Sequence, residues 1–380
     1  MDDTIQKKAI IIGAGIAGLS LAVRLQSKGI QVSVFEANTY PGGKLTELSK
    51  KGYRFDMGPS LFTMPQFVEE LFSISNKNIN HYFSYKKKET VCHYFYKDGT
   101  FFKASSNTDT FSSDAANVFD VEKNTIDNYF KKSKNKYELT SSLFLEKSLH
   151  KISTYLSKDT LKAIFNVRNL DINISLHEYN TSNFNDPKLI QLFDRFATYN
   201  GSSPYLTPGI MSMIPHLEQY YGTFFPKGGM HSITESIYKL AQDLGVQFYF
   251  NSTVNKIHIE NQIAVGISVN NKDFYGDFII SNSDVVPTYK NLIKDQKPPL
   301  KILKQPRSSS ALIFYWGIKK EFPSLDLHNI FFSDNYEKEF TYIFEKKKVY
   351  NDPTIYVNIT SKENKSDAPK GCENWFVMVN

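Results

Sequence analysis

Cysteine is nearly absent from this chain: only Cys92 and Cys372 occur in 380 residues. Two thiols so far apart exclude a disulfide framework and a cysteine metal knuckle, and they fit a reducing compartment, so a cytoplasmic location is expected. No uninterrupted apolar run approaches the ~20 residues that span a bilayer, so any membrane contact is expected to be peripheral. There is no dominant block of like charge either. The 45 basic and 39 acidic residues leave a net +6 spread over many lysines, and no nucleic-acid partner is expected. The chain also lacks a G-x-S-x-G elbow, an H-E-x-x-H pair and a P-loop, which removes the common hydrolase and metalloprotease signatures. No metal site is expected.

What is present suffices for a large folded protein. With 41% hydrophobic and 22% charged residues, the chain can bury a substantial core and is expected to form two domains. The opening "KKAIIIGAGIAGLSLAV" imitates a signal peptide, but its glycine spacing has another explanation. "KAIIIGAG" reads as a buried parallel strand, a helix follows from about Ile16 to Ser27, and "QVSVFEA" is a second strand. Together they form a βαβ unit of the expected size. Residues 76–190 are polar and lysine-rich with helical patterns, and read as a separate domain or cap. From "FFPKGGM" the earlier character returns: "HSITESIYKLAQDLG" is a helix closed by Gly245, followed by short strands ending in "DFIISN". "SSSALIFYWGI" and "PTIYVNIT" read as further strands. The expected fold is thus α/β, a discontinuous Rossmann-like domain (1–75 and 220–290) with an inserted α+β substrate domain (76–219 and 291–380).

Gly13, Gly15 and Gly18 fit G-x-G-x-x-G between the first strand and helix. The first permits a tight turn, the second lets backbone approach a pyrophosphate, and the third lets helix pack on strand. The helix N-terminus offers free N–H groups to the anion. Glu36, at the end of the second strand, can accept ribose hydroxyls and would repel a 2′-phosphate, which disfavours NADP. This motif alone leaves NAD and FAD open, and the paired glycines of "FEANTYPGGK" unexplained.

In order along the chain, "IIIGAGIAGLSLAVRLQSKGIQVSVFEANTYPGGKL", "GYRFDMGPSLFTMP", "YNGSSPYLTPG", "FFPKGGM" and "FIISNSD" resemble the phytoene desaturase family of FAD-dependent carotenoid desaturases, a branch of the amine-oxidase-like flavoproteins. The resemblance implies FAD as cofactor. It implies that Gly42, Gly43 and Lys44 pass beside the flavin's phosphates and ribityl chain, and that Gly58 and Pro59 lie near its ring system. Pro226, Lys227, Gly228 and Gly229 match a loop at the boundary of cofactor and substrate, and Val254 matches a position whose backbone contacts adenine. The implied reaction removes two hydrogens from an acyclic C40 carotenoid, with quinone or oxygen as electron acceptor. "FATYNGSSPY" and "IPHLE" are more similar to the branch acting on hydroxylated acyclic carotenoids. The alternatives are a carotenoid cis-trans isomerase, another amine-oxidase-like flavin oxidase, or an inactive truncated FAD-binding protein. The family pattern continues past a segment like "ENWFVMVN" to a last glycine-rich motif, so a chain lacking its C-terminal part is expected.

His216 with Glu218, just before the "FFPKGGM" loop, and Asp194 with Arg195 in "FDRFATYNGSSPY" are the candidates for lining the active site. Each pair is also compatible with a structural role, as a hydrogen-bonded pair or a surface or interdomain ion pair. A carotenoid of about forty carbons, at about 0.8 kcal/mol per carbon unit, would cost roughly 30 kcal/mol to carry through water. Its enzyme must therefore take it from lipid, and the expected location is the inner face of the cell membrane. The basic, apolar stretches between 143 and 170, with Lys147, Lys151, Lys158 and Lys162, are the candidate docking face.

Overall fold

The structure, a computed structural model, describes residues 6–141, 151, 153, 167–305 and 307–380. Lys147, Lys158 and Lys162 of the expected docking face lie outside the described residues, while Lys151 is exposed. The chain divides into two compact units. One is Met1–Lys86 with Phe224–Pro306, the other Lys87–Thr223 with Arg307–Asn380.

The first unit is built on a four-stranded parallel sheet in the spatial order Phe278–Ser281, Lys8–Ile12, Gln31–Phe35, Gln247–Tyr249. The run Ala9–Ile12 is wholly buried, as a strand covered on both faces must be, and this explains its unbroken apolar character. The helix Ile16–Gln26 buries Leu19, Ala22 and Val23, three or four residues apart and so on one face. They pack with Ile233, Ile237 and Leu240 of the helix His231–Asp243 in one core cluster. A three-stranded antiparallel sheet, Val254–Glu260, Ile263–Val269 and Lys272–Tyr275, forms a second core with Ile10, Ile12 and Phe35. Its two tight turns fall at Asn261–Gln262 and Asn270–Asn271, all four with positive φ, the backbone of type I′ hairpins.

The second unit holds a six-stranded sheet in the order Leu312–Ile318, Glu373–Val379, Ile355–Asn358, His328–Phe331, Thr90–Phe95, Phe101–Ser105. One face packs on helices through Tyr94, Phe102, Tyr129, Phe193 and Ile330. The strands Thr90–Phe95 and Phe101–Ser105 come from the segment that reads by composition as polar and helical. They form a hairpin across Asp98–Gly99, with Tyr96 N–H bonded to the Thr100 carbonyl. The Asp-Gly pair between "TVCHYF" and "FFKAS" is the turn signal that its lysines obscured. Cys92 lies in this hairpin, buried, and burial pushes its thiol up to about 12. Such a thiol is not reactive near neutrality. Among the described residues no helix is long and apolar enough to cross a membrane.

Candidate functional site: a dinucleotide cleft and a buried polar cluster

The order of the parallel sheet places strands Lys8–Ile12 and Phe278–Ser281 side by side, each followed by a loop at its carboxyl end. This is where open parallel sheets bind ligands. Gly13 follows the first strand with φ +97° and donates its N–H to the Phe35 carbonyl at 2.7 Å. Asn282 follows the other strand; its N–H reaches the Ile12 carbonyl at 2.9 Å and its side-chain amide donates to the Gly13 carbonyl at 3.3 Å. The helix Ile16–Gln26 starts at Gly15 with no side-chain cap, so its first-turn N–H groups are left for an external anion. A cleft of about 550 Å³ opens here, lined by Gly13, Gly15, Glu36, Val254 and Asn282 among others, within the usual range for cofactor sites.

Glu36 is buried and already held. One carboxylate oxygen accepts the Ala14 N–H at 2.7 Å, and the other accepts the Asn38 backbone and side-chain N–H groups at 2.9 Å. The oxygen facing Ala14 keeps a lone pair for a ribose hydroxyl. The paired glycines are accounted for by contact with this loop. Gly42 N–H donates to the Ala14 carbonyl at 2.8 Å and Gly42 bridges Gly15 in parallel. A Cβ on Gly42 would sit 2.4 Å from the Leu45 carbonyl oxygen, and one on Gly43 3.4 Å from the Gly15 Cα. The Pro-Gly-Gly-Lys turn is therefore laid directly on the phosphate loop.

Of the other residues expected at the cofactor, Gly18 packs beneath the loop and Lys44 and Pro59 are exposed. A Cβ on Gly58 would lie 1.9 Å from the Lys44 carbonyl oxygen, so these two segments touch. None of Gly18, Gly42, Gly43, Lys44, Gly58 or Pro59 lines the cleft itself. Three participants escaped the sequence reading. Asn282 and Ser283 line the cleft, although "FIISNSD" was legible as a strand end. Asp56, in "FDMGP", is buried and accepts the N–H groups of Met230 and His231 at 2.9 and 3.2 Å and the Arg54 guanidinium at 2.7 Å. It caps the helix His231–Asp243 from a distant segment, and Gly229 leaves room for Arg54 to reach it. "FDMGP" and "FFPKGGM" are thus one substructure.

The four candidate catalytic residues lie in the second unit, and their pairing differs from expectation. His216 does not meet Glu218: two positions apart on a helical path, they point to opposite sides. His216 is buried against Tyr220 and Tyr137, at ring distances of 4.7 and 5.2 Å, and burial lowers its pKa to about 4. Glu218 instead pairs with Arg195 at 3.1 Å, both buried. Asp194 and Arg195, adjacent on the helical path, likewise diverge. Asp194 accepts from Asn180 Nδ2 at 2.8 Å and bonds His177 Nδ1 at 2.7 Å. Neither expected pair forms.

The His177–Asp194 bond has a pH consequence. The bond to Asp194, aided by the charges of Glu337 and Glu178, raises the His177 pKa against the lowering effect of burial. Burial raises Asp194 while His177 pulls it down. A histidine raised on folding contributes stability in full below its unfolded value of about 6.5, and loses it as pH rises through the folded value. His177→Phe is therefore expected to lower the melting temperature more at pH 6 than at pH 9. Equal losses at both values would show that the bond is not charge-assisted.

A parallel sheet with an uncapped helix, a glycine loop and a ribose-binding acid at its carboxyl edge defines a dinucleotide-binding protein. Residues 16–309 match the flavin containing amine oxidoreductase family, and the chain belongs to that family. The protein is accordingly an FAD-dependent oxidoreductase. The glycine cradle, the uncapped helix and the cleft volume all fit FAD. The chain is 57% identical to a 1-hydroxycarotenoid 3,4-desaturase of Flavobacterium sp. (strain P99-3), over 98% of this chain and 76% of that one. It is 31% identical to a 4,4'-diapolycopene oxygenase of Methylomonas sp., over 98% and 75%. Among solved structures, an oxidoreductase from Methanosarcina mazei shares the fold, with TM-score 0.65 at 18% identity, covering 98% of this chain and 78% of that one.

Proposed function

We propose that the protein is a carotenoid desaturase of carotenoid biosynthesis, introducing a carbon–carbon double bond into an acyclic, hydroxylated carotenoid. The observation that carries this reading is the 57% identity to a 1-hydroxycarotenoid 3,4-desaturase over nearly the whole chain. Bound FAD supplies the acceptor for a hydride equivalent from an unactivated carbon, which no side chain can be. The chain's own residues bind and orient. First-turn N–H groups of Ile16–Gln26 and the loop Gly13–Gly15 would receive the pyrophosphate, Glu36 the ribose hydroxyls, and the Val254 backbone the adenine. The turn at Gly42 and Gly43, laid on that loop, would support it against the bound cofactor. Lysines on the surface, including exposed Lys151, favour a peripheral approach to anionic lipid, from which the substrate is drawn. Quinone or oxygen takes the electrons afterwards.

The test is production of the full chain in bacteria that accumulate different acyclic carotenoids. A product lighter by two hydrogens, with absorption shifted to longer wavelength, is the expected result. Recovery of every carotenoid with mass and spectrum unchanged would overturn the reading. A changed cis-trans pattern at constant mass would redirect it to an isomerase, and gain of oxygen to the chemistry named for the Methylomonas relative.

A further inference from the structure

The six-stranded sheet of the second unit carries a transverse row of residues in strict register. Tyr315 lies opposite Phe376, Phe376 opposite Asn358, and Asn358 opposite His328. Cross-strand partners share a face, so the row crosses four strands on one side of the sheet, roughly 14 Å at the usual strand spacing. Its outer end is apolar and partly open: Tyr315, on the edge strand, is half-buried and meets Phe376 ring to ring at 5.7 Å. Its inner end is polar and closed, for His328 and Asn358 are 4% and 3% exposed.

The proton on His328 can be placed. Asn358 Nδ2 donates to the Leu327 carbonyl at 3.0 Å, which fixes the amide's orientation, and the same nitrogen lies 3.2 Å from His328 Nδ1. An amide nitrogen only donates, so Nδ1 accepts. The Tyr356 hydroxyl, 2.7 Å from the same nitrogen, is likewise a donor to it. Burial lowers the ring's pKa to about 4, leaving it neutral with its hydrogen on Nε2. That N–H is not among the enclosed, unpaired polar atoms of the described residues, but Arg195 supplies one. Arg195 is buried over the Tyr94 ring, its centre 5.3 Å away, and its charge acts on His328. Its Nε–H has no partner among the described residues. Native interiors rarely leave such a donor unmatched, and at the closed end of an aromatic row it calls for an acceptor from outside the chain. Glu218 neutralises Arg195, so the acceptor needed is a neutral oxygen, not an anion.

We propose that Tyr315 and Phe376 flank the end of an elongated apolar substrate, and that His328 Nε2 and Arg195 Nε hold a neutral hydroxyl oxygen at its tip. This rests on the functional reading above and deepens it: the cluster would select hydroxylated over unhydroxylated chains. Arg195 and Glu218, candidates for catalysis from sequence, become specificity residues, and Tyr356 becomes a positioning residue that holds the His328 tautomer.

The experiment compares kcat/KM for an acyclic carotenoid bearing a terminal hydroxyl and for its unhydroxylated parent, both in liposomes, using flavin-loaded full-length protein. Wild type is expected to favour the hydroxylated chain. In His328→Phe the ratio is expected to fall at least ~10-fold, the worth of one buried hydrogen bond. Tyr356→Phe, a smaller change available should His328→Phe not fold, is expected to lower it less, chiefly through KM. A ratio unmoved in flavin-loaded variants overturns the subsite and leaves the desaturase reading intact. A wild type that alters neither carotenoid overturns the desaturase reading, and the subsite with it.

Discussion

Gly18→Ala is expected to yield protein that retains less than about a tenth of the wild-type flavin, though alanine is the better helix former. At an ordinary helical position the exchange would stabilise by about 0.8–1 kcal/mol. Here the added Cβ would lie 2.3 Å from the Gly13 carbonyl oxygen and 2.8 Å from Asn282 Nδ2. The first contact is with backbone, which cannot rotate away. Overpacking of this kind costs about 1–3 kcal/mol, and relief requires the helix Ile16–Gln26 to move off the loop that holds the pyrophosphate. The propensity gain is therefore outweighed where the cofactor is bound. Flavin absorbance per protein after gel filtration measures it, and a variant as yellow as wild type would sink the assignment of this loop.

Arg195→Met is expected to destabilise by about 3–5 kcal/mol, because Glu218, 2% exposed, is left as an uncompensated charge. Removing both, as Arg195→Met with Glu218→Leu, is expected to recover most of that loss, since two apolar side chains need no partner in the same space. The deficit of the single variant depends on pH with a definite sign. Burial already raises the Glu218 pKa, opposed by Arg195; without Arg195 it rises further. A carboxyl raised on folding is penalised as pH climbs from its unfolded value, about 4.3, through its folded one. The single variant should thus be least impaired near pH 5 and most impaired above neutrality. Urea midpoints of the three proteins decide it. A double variant no more stable than the single would mean that Arg195 acts by packing, through its contact with the Phe196 ring at 4.4 Å.

Local signals carried much of the first unit. The strand, glycine loop, helix and acid between Lys8 and Glu36 are contiguous, and each is dictated by neighbours in sequence: β-branched residues, missing side chains, an apolar helical stripe. What could not be read was pairing at a distance. Asp56 finds the helix at His231, and Arg195 finds Glu218, through packing that no local window contains. The candidate pairs His216–Glu218 and Asp194–Arg195 were chosen for closeness in sequence, which on a helical path separates side chains. The hairpin Thr90–Ser105 failed differently: its alternation was present, but lysine-rich surroundings outweighed it. The transverse row from Tyr315 to His328 draws on four strands, and its first pairing joins Leu312–Ile318 to Glu373–Val379 across two intervening strands.

The discontinuity of the first unit bears on how the chain is made. The strand Gln31–Phe35 must wait for Gln247–Tyr249, and Lys8–Ile12 for Phe278–Ser281. On a ribosome adding about 5–20 residues per second, the interval of some 210 residues between Phe35 and Gln247 lasts roughly 10–40 s. Throughout it the βαβ nucleus offers two open strand edges and an apolar helix face to solvent, while the second unit's first strands emerge. An unpaired edge of that kind recruits other chains. The yield of this protein is therefore expected to depend on chaperones that guard nascent chains, more than its final packing would suggest.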